Sequence, residues 1–184
     1  MPKATAGRAG YAAQGGKTLS ECATLFTREH IQTIATERVS TGFSELDRSL
    51  NGGLSNGLYV LGAVPGLGKS TLALQIAYHL SSQGIPVLYF ALEMNRAWIA
   101  AKSLCRADFL LNRQAGIQAS DLLDTSKAKA FSEEQWGRID RARERIEQEG
   151  ANLYLYEQGP ELTHIGQIQK QIQAFQAANR QRYK

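Results

Sequence analysis

Residues Leu58 to Leu80 read LYVLGAVPGLGKSTLALQIAYHL. A short apolar run, Leu58 to Leu61, leads into a glycine-rich loop, AVPGLGKS at Ala63 to Ser70. A segment without Gly or Pro then continues to Gln83, and Gly84 stops it. This order predicts a strand, a phosphate-holding loop and a helix that begins near Lys69.

A triphosphate carries several negative charges that must be held without crowding. Glycines such as Gly66 and Gly68 reach backbone angles closed to other residues, so consecutive N–H groups can curl around one phosphate. The helix that follows aims the positive end of its dipole at the same group. Pro65, Gly66, Leu67, Gly68, Lys69, Ser70 and Thr71 are therefore the expected contacts to ATP. Lys69 is placed to reach the β- and γ-phosphates, and the Ser70 hydroxyl to hold Mg²⁺. The pattern is G-x-x-x-x-G-K-[ST], and Ala63 stands at its first position. The alternative is a chance glycine-rich turn, against which the flanking strand and helix signals speak.

The chain has 184 residues, enough for one domain with a sizeable core, and 43% hydrophobic with 21% charged residues is ordinary for a globular protein. No apolar run approaches the roughly 20 residues that cross a bilayer. The first residues, MPKATAGRAGYAAQGGK, contain no apolar signal-peptide core, so a cytoplasmic location is expected. Cys22 and Cys105 have no metal-binding or C-x-x-C spacing and read as reduced thiols. The net charge of +4 is concentrated in the two ends, through Lys3, Arg8 and Lys17 and through Lys170, Arg180, Arg182 and Lys184. Basic ends alone do not establish a nucleic-acid partner.

Residues 1–19 are small, polar and aperiodic and read as a disordered lead-in or linker. Weak helical patterning follows from Leu19 to Ala35, with Thr27 as a cap. Leu46 and Leu50 fit a short helix that Asn51-Gly52-Gly53 ends. Beyond the Lys69 helix, Pro86 opens a second strand, VLYFALEM, from Val87 to Met94. Such a nearly continuous apolar strand is expected in a parallel sheet covered on both faces. Glu93 is an acid at the end of that strand. In open α/β sheets the ligand lies beyond the carboxyl ends of the strands, so Glu93 is a candidate base for an attacking water. It is equally placed to cap the next helix, and position alone leaves both roles open.

That helix spans about Asn95 to Leu111, with Trp98, Ile99, Ser103 and Leu104 as core positions. Residues 112–130 read as a polar excursion. Ser132 with Gln135 matches a capping box, and Trp136, Ile139, Ala142 and Ile146 form an apolar stripe. Glu134–Arg138 and Arg145–Glu149 are i,i+4 pairs on what reads as a solvated face. LYLY, Leu153 to Tyr156, is a third strand, and Thr163 a cap for a last helix. His164 is a lone histidine without metal-binding partners.

STGFSELDRSLNGGLSNGLYVLGAVPGLGKSTLALQIA followed by VLYFALEM resembles the start of a RecA-like ATPase core. The TGF-x-ELD segment is shared with RadA-type and KaiC-type proteins. The ALEM ending, and LYLYEQGPELTHIGQIQKQIQ later, are similar to DnaB-type replicative DNA helicases. The resemblance implies an α/β RecA-like P-loop NTPase, a mainly parallel sheet with helices on both faces. It makes Lys69 the phosphate lysine, Ser70 the Mg²⁺ hydroxyl and Glu93 the catalytic glutamate that orients the hydrolytic water. The family's second Mg²⁺ motif, its DNA-binding loops and its arginine finger find no counterpart before Lys184. The expectation is thus a partial RecA-like domain at 20–184, with ATP and Mg²⁺ as its cofactors, that by itself binds nucleotide weakly at most and does not unwind DNA. In the complete protein, hydrolysis would drive a homo-oligomeric ring along single-stranded DNA, with no membrane partner. Two other readings are a RadA- or KaiC-like recombination or regulatory ATPase, and a non-catalytic nucleotide-binding or assembly remnant of a mobile element.

Overall fold

The computed structural model describes residues 18–24, 26–29, 31, 38–113, 116–159 and 164–179. Thr163 lies outside them. Eight helices and two strands follow in the order α1 (Leu19–Ala23), α2 (Ser44–Ser49), α3 (Lys69–Ser82), β1 (Val87–Ala91), α4 (Arg96–Asn112), α5 (Ala119–Leu122), α6 (Thr125–Ala128), α7 (Glu133–Glu149), β2 (Leu153–Glu157) and α8 (Ile165–Asn179) among the described residues. Strands β1 and β2 are parallel, in register from Val87 opposite Leu153 to Ala91 opposite Glu157. The connection between them contains α4 to α7, as parallel pairing demands a long crossover.

The strand expected at Leu58 to Leu61 does not form. These residues are irregular and exposed, Leu58 by 90% and Val60 by 86%. A strand exists only through the backbone bonds of a neighbour, and among the described residues the sheet contains β1 and β2 alone. Apolar content made the run look like a strand, but pairing decides the matter. The second strand is also shorter than its apolar run. It ends at Ala91, and Leu92 to Met94 form a bend.

Three elements meet at a small core. Leu74 of α3, Ala91 of β1 and Ile99 of α4 are buried together, with Tyr89, Met94, Leu153 and Leu155 packed around them. Trp98, expected inside, is 40% exposed, while its neighbour Ile99 is 1% exposed. One residue is a rotation of about 100° on a helix, which separates the two. Burying a side chain of this size contributes about 1.5–3 kcal/mol.

Helix ends follow local chemistry. The Asn95 side chain accepts from the Trp98 N–H to open α4. Ser132 and Gln135 form the expected capping box on α7, and Gly150 ends that helix with its N–H on the Ile146 carbonyl. A second capping box, Thr18 with Glu21, starts α1. The polar excursion at 112–130 is partly ordered, as the short helices α5 and α6.

The TGF-x-ELD segment is a folded clasp. The Asp47 carboxylate accepts from the Ser40 hydroxyl at 2.6 Å, the Thr41 hydroxyl at 2.6 Å and the Thr41 N–H at 2.8 Å. These bonds, Ser40's first, hold the Asp47 carboxyl below its usual range. Gly42, at φ +83, lies against His79 of α3, where an added Cβ would stand 2.7 Å from the imidazole Cγ. Only glycine meets both conditions.

Two polar links hold the crossover. The Tyr78 hydroxyl donates to Glu149 at 2.8 Å, and the Ser81 hydroxyl to the Glu149 carbonyl at 2.9 Å, joining α3 to the end of α7. Between α4 and α7, Arg138 makes a two-pronged bond to Asp108, Nε to Oδ1 at 2.8 Å and Nη2 to Oδ2 at 2.6 Å. Asn112 adds a third donor at 2.7 Å. The solvated-face reading is therefore wrong for Arg138. It turns inward to Asp108 instead of pairing with Glu134, with side-chain exposures of 12% and 2%. Arg145–Glu149 forms on the surface as expected, at 3.0 Å.

Replacing Asp108 by Ala strands a buried guanidinium, so urea unfolding should show a loss of about 3 kcal/mol. Arg138 holds the Asp108 carboxyl below its normal range. Its folded value thus lies below the unfolded value of about 3.9. The pair's contribution is complete above about pH 5 and disappears as pH falls through the folded value. The stability gap between wild type and Asp108→Ala should narrow on acidification below about pH 4.

Candidate functional site

The loop after Leu61 rises to the start of α3 through two left-handed glycines, Gly66 at φ +84 and Gly68 at φ +86. Gly68 is the N-cap of α3, and its carbonyl accepts the Leu72 N–H at 2.9 Å. A 14-residue helix therefore begins at Lys69 with its first N–H groups beside the loop. That end carries a partial positive charge suited to an anion. The Lys69 ammonium folds back over its own loop, donating to the Ala63 carbonyl at 2.9 Å and the Val64 carbonyl at 3.3 Å.

A cavity of about 430 Å³ opens here, lined by Pro65, Gly66, Gly68, Lys69, Ser70, Thr71, Glu93, Met94 and Lys102. Its volume falls within the range of small-molecule sites, about 300–1,000 Å³. Every residue expected to contact a nucleotide except Leu67 lines it, and Glu93 joins them. Leu67 is 71% exposed at the loop tip. Glu93 reaches the cavity from the bend two residues past the carboxyl end of β1. It does so without the Leu58 strand as a neighbour. The N-cap of α4 is Asn95, so the capping role open to Glu93 is taken by another residue.

Two contributors were not expected from sequence. Lys102 comes from the third position of the second turn of α4 and sits 9 residues beyond Glu93 in sequence. No motif marks it; only the packing of α4 on α3 brings it to the loop. Glu157, at the end of β2, accepts the Arg96 backbone N–H at 2.7 Å and the Arg96 Nε at 2.9 Å. These bonds, the backbone one first, hold its carboxyl below the usual range. They fix the first turn of α4 to the sheet edge, beside a smaller cavity that Glu93, Met94, Glu157 and Gln158 also line.

The donor set fits a Mg²⁺-bound nucleotide. A hydroxyl at Ser70, an ammonium at Lys69 and the free N–H groups of a helix start surround one opening. Among the described residues no cluster of three His, Cys, Asp or Glu is present. Cys105 lies elsewhere, a free thiol that burial pushes up to about 11. No helix among the described residues is long and apolar enough to cross a membrane.

Residues 38–182 match the model of the DnaB-like helicase C terminal domain. The DNA repair protein RadA of Pseudomonas aeruginosa is 39% identical over 98 residues, 53% of this chain and 20% of that protein. The replicative DNA helicase DnaB of Leifsonia xyli is 43% identical over 67 residues, 36% of this chain and 15% of that protein. The replicative DNA helicase DnaC of Bacillus subtilis is 31% identical over 105 residues, 56% of this chain and 21% of that protein. The chain thus spans about a fifth or less of the length of these relatives.

Gly66 tests whether the loop geometry is intrinsic. An added Cβ there meets nothing within 4 Å. Gly66→Ala should still cost about 1–2 kcal/mol in urea unfolding, because the left-handed backbone is strained for any other residue.

Proposed function

The chain belongs to the DnaB-like helicase C-terminal domain family, and from that membership we propose that it is the ATP-binding part of a replicative helicase motor. The observation that carries the reading is the single cavity shared by the Gly66–Thr71 loop, the start of α3 and Glu93. Lys69 and the N–H groups of the loop would bind the phosphates, and the Ser70 hydroxyl would hold Mg²⁺. When bound, Mg²⁺ supplies positive charge that offsets the charge of the phosphate oxygens. Two of the three Lys69 ammonium donors lie on the Ala63 and Val64 carbonyls, and the third is left for a phosphate oxygen. Glu93, a carboxylate lining the same cavity, would orient a water and take its proton.

In the whole protein the proposal extends to a ring of identical subunits that hydrolyses ATP while moving along single-stranded DNA. A second reading, an ATPase of DNA repair, is favoured by the 39% identity to RadA over 98 residues. The ALEM segment, Ala91 to Met94, favours the helicase. Lys69→Ala in the chromosomal gene separates the two. Arrest of replication supports the helicase, whereas sensitivity to DNA damage with normal growth supports the repair enzyme.

Equilibrium dialysis of this chain against ATP and Mg²⁺ should show binding, weakened at least tenfold by Lys69→Ala. Binding that survives this substitution unchanged would reject the phosphate role. In the whole protein, Glu93→Gln should lower kcat for ATP hydrolysis by about 10²-fold or more while leaving ATP affinity within a few-fold.

A further inference from the structure

Lys102 is the one residue in the cavity wall that neither the loop motif nor the strand ending accounts for. It is half-buried on α4, and it lines two spaces at once. One is a small apolar cavity between α3 and α4, formed with Leu74, Tyr78 and Arg106. The other is the large cavity with Lys69, Ser70 and Glu93. A lysine in such a place packs its hydrocarbon stem in the apolar space and leaves its ammonium to the polar one.

No hydrogen bond or ion pair engages Lys102 among the described residues. Its helix neighbours satisfy themselves elsewhere: the Ser103 hydroxyl donates to the Ile99 carbonyl, and Arg106 lies over the Tyr78 ring. Glu93 likewise forms no ion pair there, and the Lys69 ammonium is held by loop carbonyls. Lys102 thus brings a cation to the wall of a polar cavity without an acid paired to it, and an anion entering there would meet it.

We propose that Lys102 supplies that charge to the terminal phosphate of a bound nucleoside triphosphate, so that the site distinguishes ATP from ADP. This rests on the nucleotide-binding reading above. The geometry divides the phosphates between two cations. Lys69 and the loop hold the end of the chain that enters at the start of α3. Lys102 stands with Glu93 on the wall contributed by β1 and α4. A diphosphate fills the loop and leaves Lys102 unpaired, whereas a third phosphate extends toward it. Lys102 thus contributes to triphosphate affinity and little to diphosphate affinity.

The test compares fluorescent N-methylanthraniloyl ATP and ADP, each with Mg²⁺, titrated into wild type, Lys69→Ala, Lys102→Met and Lys102→Arg. Methionine keeps the stem that packs between α3 and α4, and circular dichroism melting checks the fold of each variant. Lys102→Met should weaken ATP analogue binding about tenfold, the scale of one charge-assisted hydrogen bond. It should change ADP analogue binding less than twofold, and Lys102→Arg should restore most of the preference. Equal loss for both nucleotides, or no loss for either, would overturn the proposal while leaving the loop's role intact. If wild type binds neither analogue, or Lys69→Ala binds both normally, the nucleotide reading fails and the Lys102 role falls with it.

Discussion

Contact among Leu74, Ala91 and Ile99 is the constraint on which the site depends. Each belongs to a different element, and each lies within four residues of a group in the cavity wall: Leu74 after Ser70 and Thr71, Ala91 before Glu93, Ile99 before Lys102. Apolar burial is non-directional, but here it fixes the origins of three elements. Covalent geometry then carries the polar groups to one opening. The acid and the two cations need no contact with one another to be assembled, because the apolar side chains behind them have already been driven together.

Polar links outside the core stop these elements from turning. Glu157 holds the first turn of α4, and the Asp108–Arg138 pair holds its last. On the other side, Glu149 holds the C-terminal half of α3 through Tyr78 and Ser81. A helix anchored at both ends cannot rotate, so Lys102, midway along α4, keeps its place. The clasp around Asp47 acts similarly on α3, since Gly42 lies directly against His79. This gives the TGF-x-ELD segment a structural purpose: it braces the helix that starts at the glycine loop.

Legibility in the sequence followed the range of the interaction concerned. The glycines of the loop, the start of α3 at Lys69, the Ser132 capping box and the Gly150 stop were readable because each depends on neighbours a few residues away. Arg138 was misread because its helix position offered Glu134 nearby, while the stronger acid partner lay 30 residues back in α4. Ile99 is buried as expected and Trp98 is not, because the helix phase is set by what α4 packs against. Lys102 was invisible for the same reason. At Leu58 to Leu61 the composition of a strand was present, but pairing is a property of two segments, and one segment cannot reveal its neighbour.

The two bonds from the Lys69 ammonium to the Ala63 and Val64 carbonyls tie a mobile charge to the loop it serves. The loop already carries a stand-in for the anion, made from its own backbone dipoles. Two of the three ammonium donors are spent on those carbonyls, and the third is left for an acceptor from outside. The tether restricts the rotamers of a long side chain before any such acceptor arrives. The charge is thus aimed by the backbone of the loop itself, and little ordering of the lysine is left for the moment of contact.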